Sequence, residues 1–375
     1  MELKLLFALA FLLLTFVSGV SSGSSHYYFT SMFTLGDSHI DTGNFPIMAR
    51  AINFPAWVNN PPYGMTFFGR PTGRQCDGRV IVDFMAEEFG LPFLPPSLAN
   101  SSDVSRGVNF AVGGATAIAV DFFEKNKLVP FKLLNNSLDV QVGWFQDLRP
   151  SICNKTKGSR RCFNKSLFMV GEFGVNDYNF FWMANKTEDQ VRSYVPSVVK
   201  RIALAVERLI EDGAAHVVVP GNPPSGCLPS VLVSRQTPDK AAYDHVGCLR
   251  GVNGVVEHHN KLLRKTVGGL RAKYPHATII FADFYTPIYK MLENPRHFGL
   301  LASGVLKACC GTGGGAYNWN ASTFCGMPGV AACPDPSAYV SWDGVHYTEA
   351  VNRYISEGWL NGTYAEPPIL RAMRN

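Results

Sequence analysis

Five short apolar runs, at residues 27–35, 107–115, 166–170, 216–219 and 277–282, are separated by long stretches of helical periodicity. Strands that alternate with helices pair in parallel through right-handed crossovers. The expected architecture is therefore α/β: a three-layer α/β/α sandwich of about five parallel strands. The helical pattern is clearest over residues 188–211, where Val195, Val198, Val199, Ile202, Val206, Leu209 and Ile210 recur at helical spacing and Gly213 follows the end. Residues 240–273 read as a second long helix, 79–89 as a short one, and 348–360 as the last. With 46% hydrophobic and 17% charged residues the chain can fill a substantial core, and nothing in its 375 residues has the composition of an interdomain linker. A single domain over 24–375 is expected.

An open parallel sheet carries its chemistry at the carboxyl ends of its strands. The first run stops abruptly at Gly36-Asp37-Ser38, the second at Gly113-Gly114, and the third at Gly171-Glu172-Phe173-Gly174-Val175-Asn176-Asp177. A serine hydroxyl attacks an acyl carbonyl only when a base takes its proton and a carboxylate orients that base. The far end of the chain offers both, in Trp342-Asp343-Gly344-Val345-His346. Ser38 is thus the candidate nucleophile, His346 the base and Asp343 its partner. The N–H groups of Ser38 and Gly114 and the Asn176 amide are candidate oxyanion donors. Singly, each motif is an ordinary turn or cap. Their combination points to acyl transfer.

Gly36-Asp37-Ser38, Gly107-x-Asn109-Phe110-Ala111 with Gly114, Gly174-x-Asn176-Asp177 and Asp343-Gly344-Val345-His346 resemble, in order, the four blocks of the GDSL esterase/lipase family of SGNH hydrolases. Pro61-Pro62-Tyr63-Gly64 and Phe68-Gly69-Arg70-Pro71-Thr72-Gly73-Arg74 resemble its plant branch. The resemblance implies a flavodoxin-like fold without metal or organic cofactor. It also implies Ser38, Asp343 and His346 as catalytic residues and Ser38, Gly114 and Asn176 as the oxyanion hole. Two positions depart from the pattern. His39 stands where the family's name has Leu and reads as a pocket-edge or helix-start residue, and Gln75-Cys76 replaces the usual Phe-Ser.

Residues 1–23 combine Lys4, an apolar run over 5–17 and small residues, the pattern of a secretory signal peptide. The run is too short for a bilayer span, so no stable membrane anchor is expected. Seven Asn-x-Ser/Thr sequons, at Asn100, Asn135, Asn154, Asn164, Asn185, Asn320 and Asn361, suit a secreted glycoprotein of the cell wall or endomembrane lumen. In that oxidising setting the nine cysteines pair rather than bind metal: Cys153 with Cys162, Cys227 with Cys248, and two bridges among Cys309, Cys310, Cys325 and Cys333. Cys76 is left over as a free thiol or an intermolecular link. Net charge of +5 with scattered basic residues gives no nucleic-acid partner. His258-His259, adjacent on a helix, point to different sides and make no metal site, and the glycines after Cys310 lack the Gly-Lys-Ser/Thr end of a phosphate loop.

The expected activity is hydrolysis of a carboxylic ester through an acyl-enzyme on Ser38. The substrate is an acylated wall polysaccharide, a lipid or a small metabolite, with short acyl groups such as acetyl favoured because no long apolar lid is visible. An acyltransferase or lipase on the same site is the alternative. A non-catalytic binding protein is disfavoured by the intact set of residues.

Overall fold

The computed structural model describes residues 29–99, 103–153 and 162–372. The expected leader, two of the sequons and the basic cluster at 155–161 lie outside them. Five strands pair in parallel: β1 (Ser31–Leu35), β2 (Gly107–Asn109), β3 (Ser166–Val170), β4 (His216–Pro220) and β5 (Thr278–Ala282). Their order is β2-β1-β3-β4-β5, the flavodoxin-like arrangement, with the direction of winding reversing at β1. The α/β sandwich expected from the sequence is present. A sixth strand, Ala365–Glu366, adds antiparallel to β5. At two residues it is too short to leave a pattern in the sequence.

The helices Leu138–Cys153, Glu188–Glu211 and Arg250–Lys273 pack side by side on one face, against β1, β3 and β5. Ile81–Glu88 packs on Glu349–Asn361 in the opposite layer, as right-handed crossovers on either side of β1 require. The core is fullest under β1, where Phe33, Phe145, Phe163 and Phe168 are buried with ring centroids 5.2–6.0 Å apart. Each buried phenylalanine is worth about 1.5–3 kcal/mol of apolar transfer. That packing fixes the strand whose end carries Ser38.

Several expected elements come out shorter; the first run becomes strand only from Ser31 and the helix expected over 79–89 spans Ile81–Glu88. The second run leaves the regular ladder after Asn109: Phe110 N still donates to Thr34 O at 2.7 Å, but Gly36 N, the next donor beyond β1, turns to Gln141 Oε1 at 2.9 Å. Residues 240–273 are a 3₁₀ turn, Lys240–Ala242, and then a helix from Arg250. Between them Asp244 Oδ1 accepts the amides of Val246, Gly247 and Cys248, each at 2.9 Å, and the Cys227–Cys248 bridge holds the bend.

All four bridges follow the expected pairing, and the last four cysteines join as Cys309–Cys333 and Cys310–Cys325. Cys76 is free and wholly buried, so an intermolecular link through it is sterically closed. Among the described residues no helix is long and apolar enough to cross a membrane.

Candidate active site

Ser38 lies in the turn directly after β1, at the switch point of the sheet, and is buried. Both of its neighbours point into the site. Asp37 Oδ2 accepts Asn176 Nδ2 at 2.8 Å, while the ring of His39 lies 5.6 Å from the ring of His346. The turn after β1, the helix after β3 and the C-terminal loop thus meet around one serine.

His39 is not the pocket-edge or helix-start residue expected from the sequence. The next helix begins only at Asn44, and His39 is buried beneath the turn. Its Nδ1 faces Asp37 Oδ1 at 3.3 Å and Glu172 Oε1 at 3.4 Å. Burial pushes the imidazole down, but the two carboxyl groups carry it up to about 10. Burial drives the Glu172 carboxyl well up, helped by the charge of Asp37. Asp37 is also pushed up by burial, but hydrogen bonds and charge from His39 outweigh this and lower it. These shifts favour a charged His39 and Asp37 beside a neutral Glu172. Among the described residues this is also the group whose ligand atoms lie close enough, within 4.8 Å, to hold a metal ion. His39 Nδ1 is hydrogen-bonded to Asp37 Oδ1, whereas Glu172 Oε1 faces it without a hydrogen bond.

On the C-terminal loop, His346 Nδ1 and Asp343 Oδ2 are 2.7 Å apart, and Asp343 Oδ1 accepts the amides of Val345 and His346 at 3.0 and 2.9 Å. Burial pushes the Asp343 carboxyl up; the imidazole and these amides overcome it and hold it at about 2. Tyr63 donates its hydroxyl to Asp343 Oδ2 at 2.8 Å. The loop itself is braced from below: the carbonyls of Ser341 and Trp342 accept the amides of Cys309 and Cys310, the cysteines of the last two bridges. Gly344, at φ +96°, leaves room for Trp319, whose Cδ1 would lie 2.1 Å from an added Cβ.

His346 Nε2 is buried without a protein partner. With Nδ1 committed to Asp343, it is the nitrogen left to accept a proton. Neither the Ser38 nor the Gly114 N–H donates to another described residue, and Gly114, at φ +80°, is exposed. Asn176 differs. Its amide donates to Asp37 Oδ2 and to Ala115 O, at 2.8 and 3.0 Å, so both N–H groups are engaged. The neighbouring Asp177 accepts the amides of Ala117 and Ile118, fixing the helix that carries Asn176 against the Gly114 segment.

A pocket of about 440 Å³ reaches His346, walled by Phe45, Phe54, Trp57, Tyr63, Trp319, Phe324 and Met327, with Gln75 at its side. A wider, open depression of about 730 Å³ around Phe131 and Met183 contains none of the candidate residues.

Residues 32–359 match the family model described as GDSL-like Lipase/Acylhydrolase. The chain belongs to this family. A GDSL esterase/lipase of Arabidopsis thaliana is 41% identical over 373 residues, covering 98% of this chain and 99% of that protein. A second from the same plant is 42% identical over 355 residues, covering 94% and 87%. The sinapine esterase of Brassica napus is 39% identical over 350 residues, covering 92% and 89%. A phospholipase A1 from Streptomyces albidoflavus aligns at 12% identity with a TM-score of 0.32, over 69% of this chain and 81% of that one. Membership over nearly the whole chain makes this an ester-hydrolysing enzyme of the GDSL type, with plant relatives.

Sequence reasoning missed Glu172 and Tyr63 as parts of the site, although both sit in motifs it had quoted. Neither carries a chemical signal alone; their roles arise from what the fold sets beside them. The aromatic wall was likewise invisible, since Phe45, Trp57, Trp319 and Phe324 come from two regions more than 250 residues apart.

Proposed function

We propose that Ser38 is the nucleophile of this GDSL esterase, with His346 as general base and Asp343 orienting it. Ser38 Oγ attacks the ester carbonyl while its proton passes to His346 Nε2. The oxyanion is met by the free N–H groups of Ser38 and Gly114, with Asn176 joining by sharing a donor now held by Asp37 or Ala115. Collapse expels the alcohol, which takes the proton from His346, and water repeats the sequence to free the acid. The observation that carries this reading is the unpartnered Nε2 of His346 at the pocket wall while Nδ1 is bound by Asp343.

The pocket argues for a bulkier ester than the acetyl group favoured from sequence. A lining of six aromatic rings encloses more apolar surface than a two-carbon acyl group can cover. We therefore favour an aromatic or medium-chain acyl group, and sinapine, the substrate in a relative's name, belongs in the panel. Secretion as a single glycosylated domain is the accompanying proposal. It is supported by four disulfides and by exposed asparagines at all five described sequons, Asn135, Asn164, Asn185, Asn320 and Asn361.

The test is hydrolysis of acetyl, medium-chain and aromatic acyl esters, with sinapine, by the purified protein and by Ser38→Ala. The variant should lose on the order of 10⁴-fold or more in kcat while remaining folded. Retention of the rate would end the nucleophile assignment, and acetyl esters outrunning all others would end the substrate assignment.

A further inference from the structure

Of the five described sequons, Asn320-Ala321-Ser322 alone sits against the pocket. Trp319 before it and Phe324 shortly after it both belong to the wall, whereas no residue next to Asn135, Asn164, Asn185 or Asn361 does. Asn320 opens a tight turn in which its Oδ1 accepts the Ser322 amide at 2.7 Å and its carbonyl faces the Thr323 amide at 3.5 Å. The residue is exposed, and its Nδ2 donates to no described residue. The turn is pinned on both sides. Asn318 Nδ2 donates to Ala308 O at 2.8 Å, Trp319 packs over Gly344 of the His346 loop, and Cys325 is bridged to Cys310. A group attached to Asn320 therefore stays at the mouth of the pocket.

Two of the wall rings reach the surface at that mouth: Phe54 is 53% exposed and Phe324 43%. An open apolar rim is where a large partner would rest. A sugar chain tethered beside it fills that space with hydrated groups. We propose that an N-glycan on Asn320 guards the pocket and confines the enzyme to small free esters, keeping out esters carried on a polysaccharide chain. Attachment joins Asn320 Nδ2 to C1 of the sugar: the C1–O bond to a lipid diphosphate donor breaks, the diphosphate leaves with the electron pair, and the amide gives up one proton. This deepens the esterase reading and rests on its choice of pocket and on the glycosylation proposed with it. A polymer-borne ester must bring its carrier across the rim before its carbonyl reaches Ser38, and the carrier still meets the glycan in the transition state, so kcat/KM falls.

The experiment compares methyl dihydrocinnamate with dihydrocinnamoyl dextran, one acyl group on a small carrier and on a soluble polymer, and reads the ratio of kcat/KM for polymer and free ester in the secreted protein. Peptide mass spectrometry should find Asn320 glycosylated; an unmodified Asn320 overturns the proposal. Ser322→Ala abolishes the sequon but keeps the amide that binds Asn320 Oδ1, and it should raise the ratio about tenfold with the free ester little changed. Asn320→Gln should do the same. Ser322→Thr, which keeps the sequon, and Asn361→Gln, which removes a glycan away from the pocket, should both keep the native ratio. A ratio unmoved by Ser322→Ala, or raised equally by Asn361→Gln, refutes the guard. Trp57→Leu separates that failure from failure of the pocket. If it shifts KM for the free ester while Ser322→Ala leaves the ratio alone, only the glycan's role falls; if KM does not shift, the pocket falls and the inference with it. Should Asn320→Gln fail to fold, Ser322→Ala gives the same outcomes.

Discussion

The two halves of the site are built differently. The serine half hangs from β1 and is tied by charge: Asp37 binds the half-buried Asn176, and the buried His39 lies between the buried Asp37 and Glu172. The histidine half sits on a loop outside the six-stranded sheet, laid against the two-residue strand Cys310–Gly311 and held by one tyrosine hydroxyl, a few amides and two bridges. A sheet end places Ser38 through packing that many residues share. The loop depends on a short list of individual bonds, of which the Tyr63 hydroxyl and the two bridges are each removable by one substitution.

The largest expected difference lies on the sheet side. Asn176→Ala should lower kcat about 100-fold with KM little changed, because an oxyanion donor acts in the transition state. A change confined to KM would remove Asn176 from the oxyanion hole. On the loop side, Tyr63→Phe keeps the ring in the wall but deletes the donor to Asp343, and kcat should fall about tenfold for every ester regardless of acyl size. If instead KM rises selectively for bulky esters, Tyr63 is wall alone and the loop needs no such brace.

The smallest effect is in stability. His39 titrates near 6.5 in an unfolded chain and about 10 in the fold, so its stabilising contribution is complete below about 6.5 and is lost as pH rises towards 10. Between pH 7 and 8, below the ionisation of an unfolded cysteine, the melting temperature of the native protein should fall by about 2 °C. In His39→Leu the slope should flatten. Equal slopes in both proteins would mean that the imidazolium does not hold the serine half together.

The same contrast explains what could be read from sequence. Strand-helix alternation is a local property, so β1, β3, β4, β5 and the long helices were legible, and β3 and the helix Glu188–Glu211 matched to the residue. Ser38, Asp343 and His346 were read from sequence as one candidate set, and the structure sets the Asp343–His346 pair, 2.7 Å apart, beside the turn that carries Ser38. The aromatic wall was not, since each ring alone reads as core. His39 was misplaced because nothing in the sequence signals that Glu172, just after β3, comes to face it and that the ring is buried.

The bond between Tyr63 and Asp343 has one more consequence, on the proposed assignment of the site. The ring of Tyr63 is part of the surface that feels the acyl group, and its hydroxyl is part of what steadies the proton acceptor. Seating and reactivity therefore share one side chain. An ester that fits badly enough to push the ring aside slackens the carboxylate behind the base, so the enzyme checks its substrate with the same lever that fires the reaction.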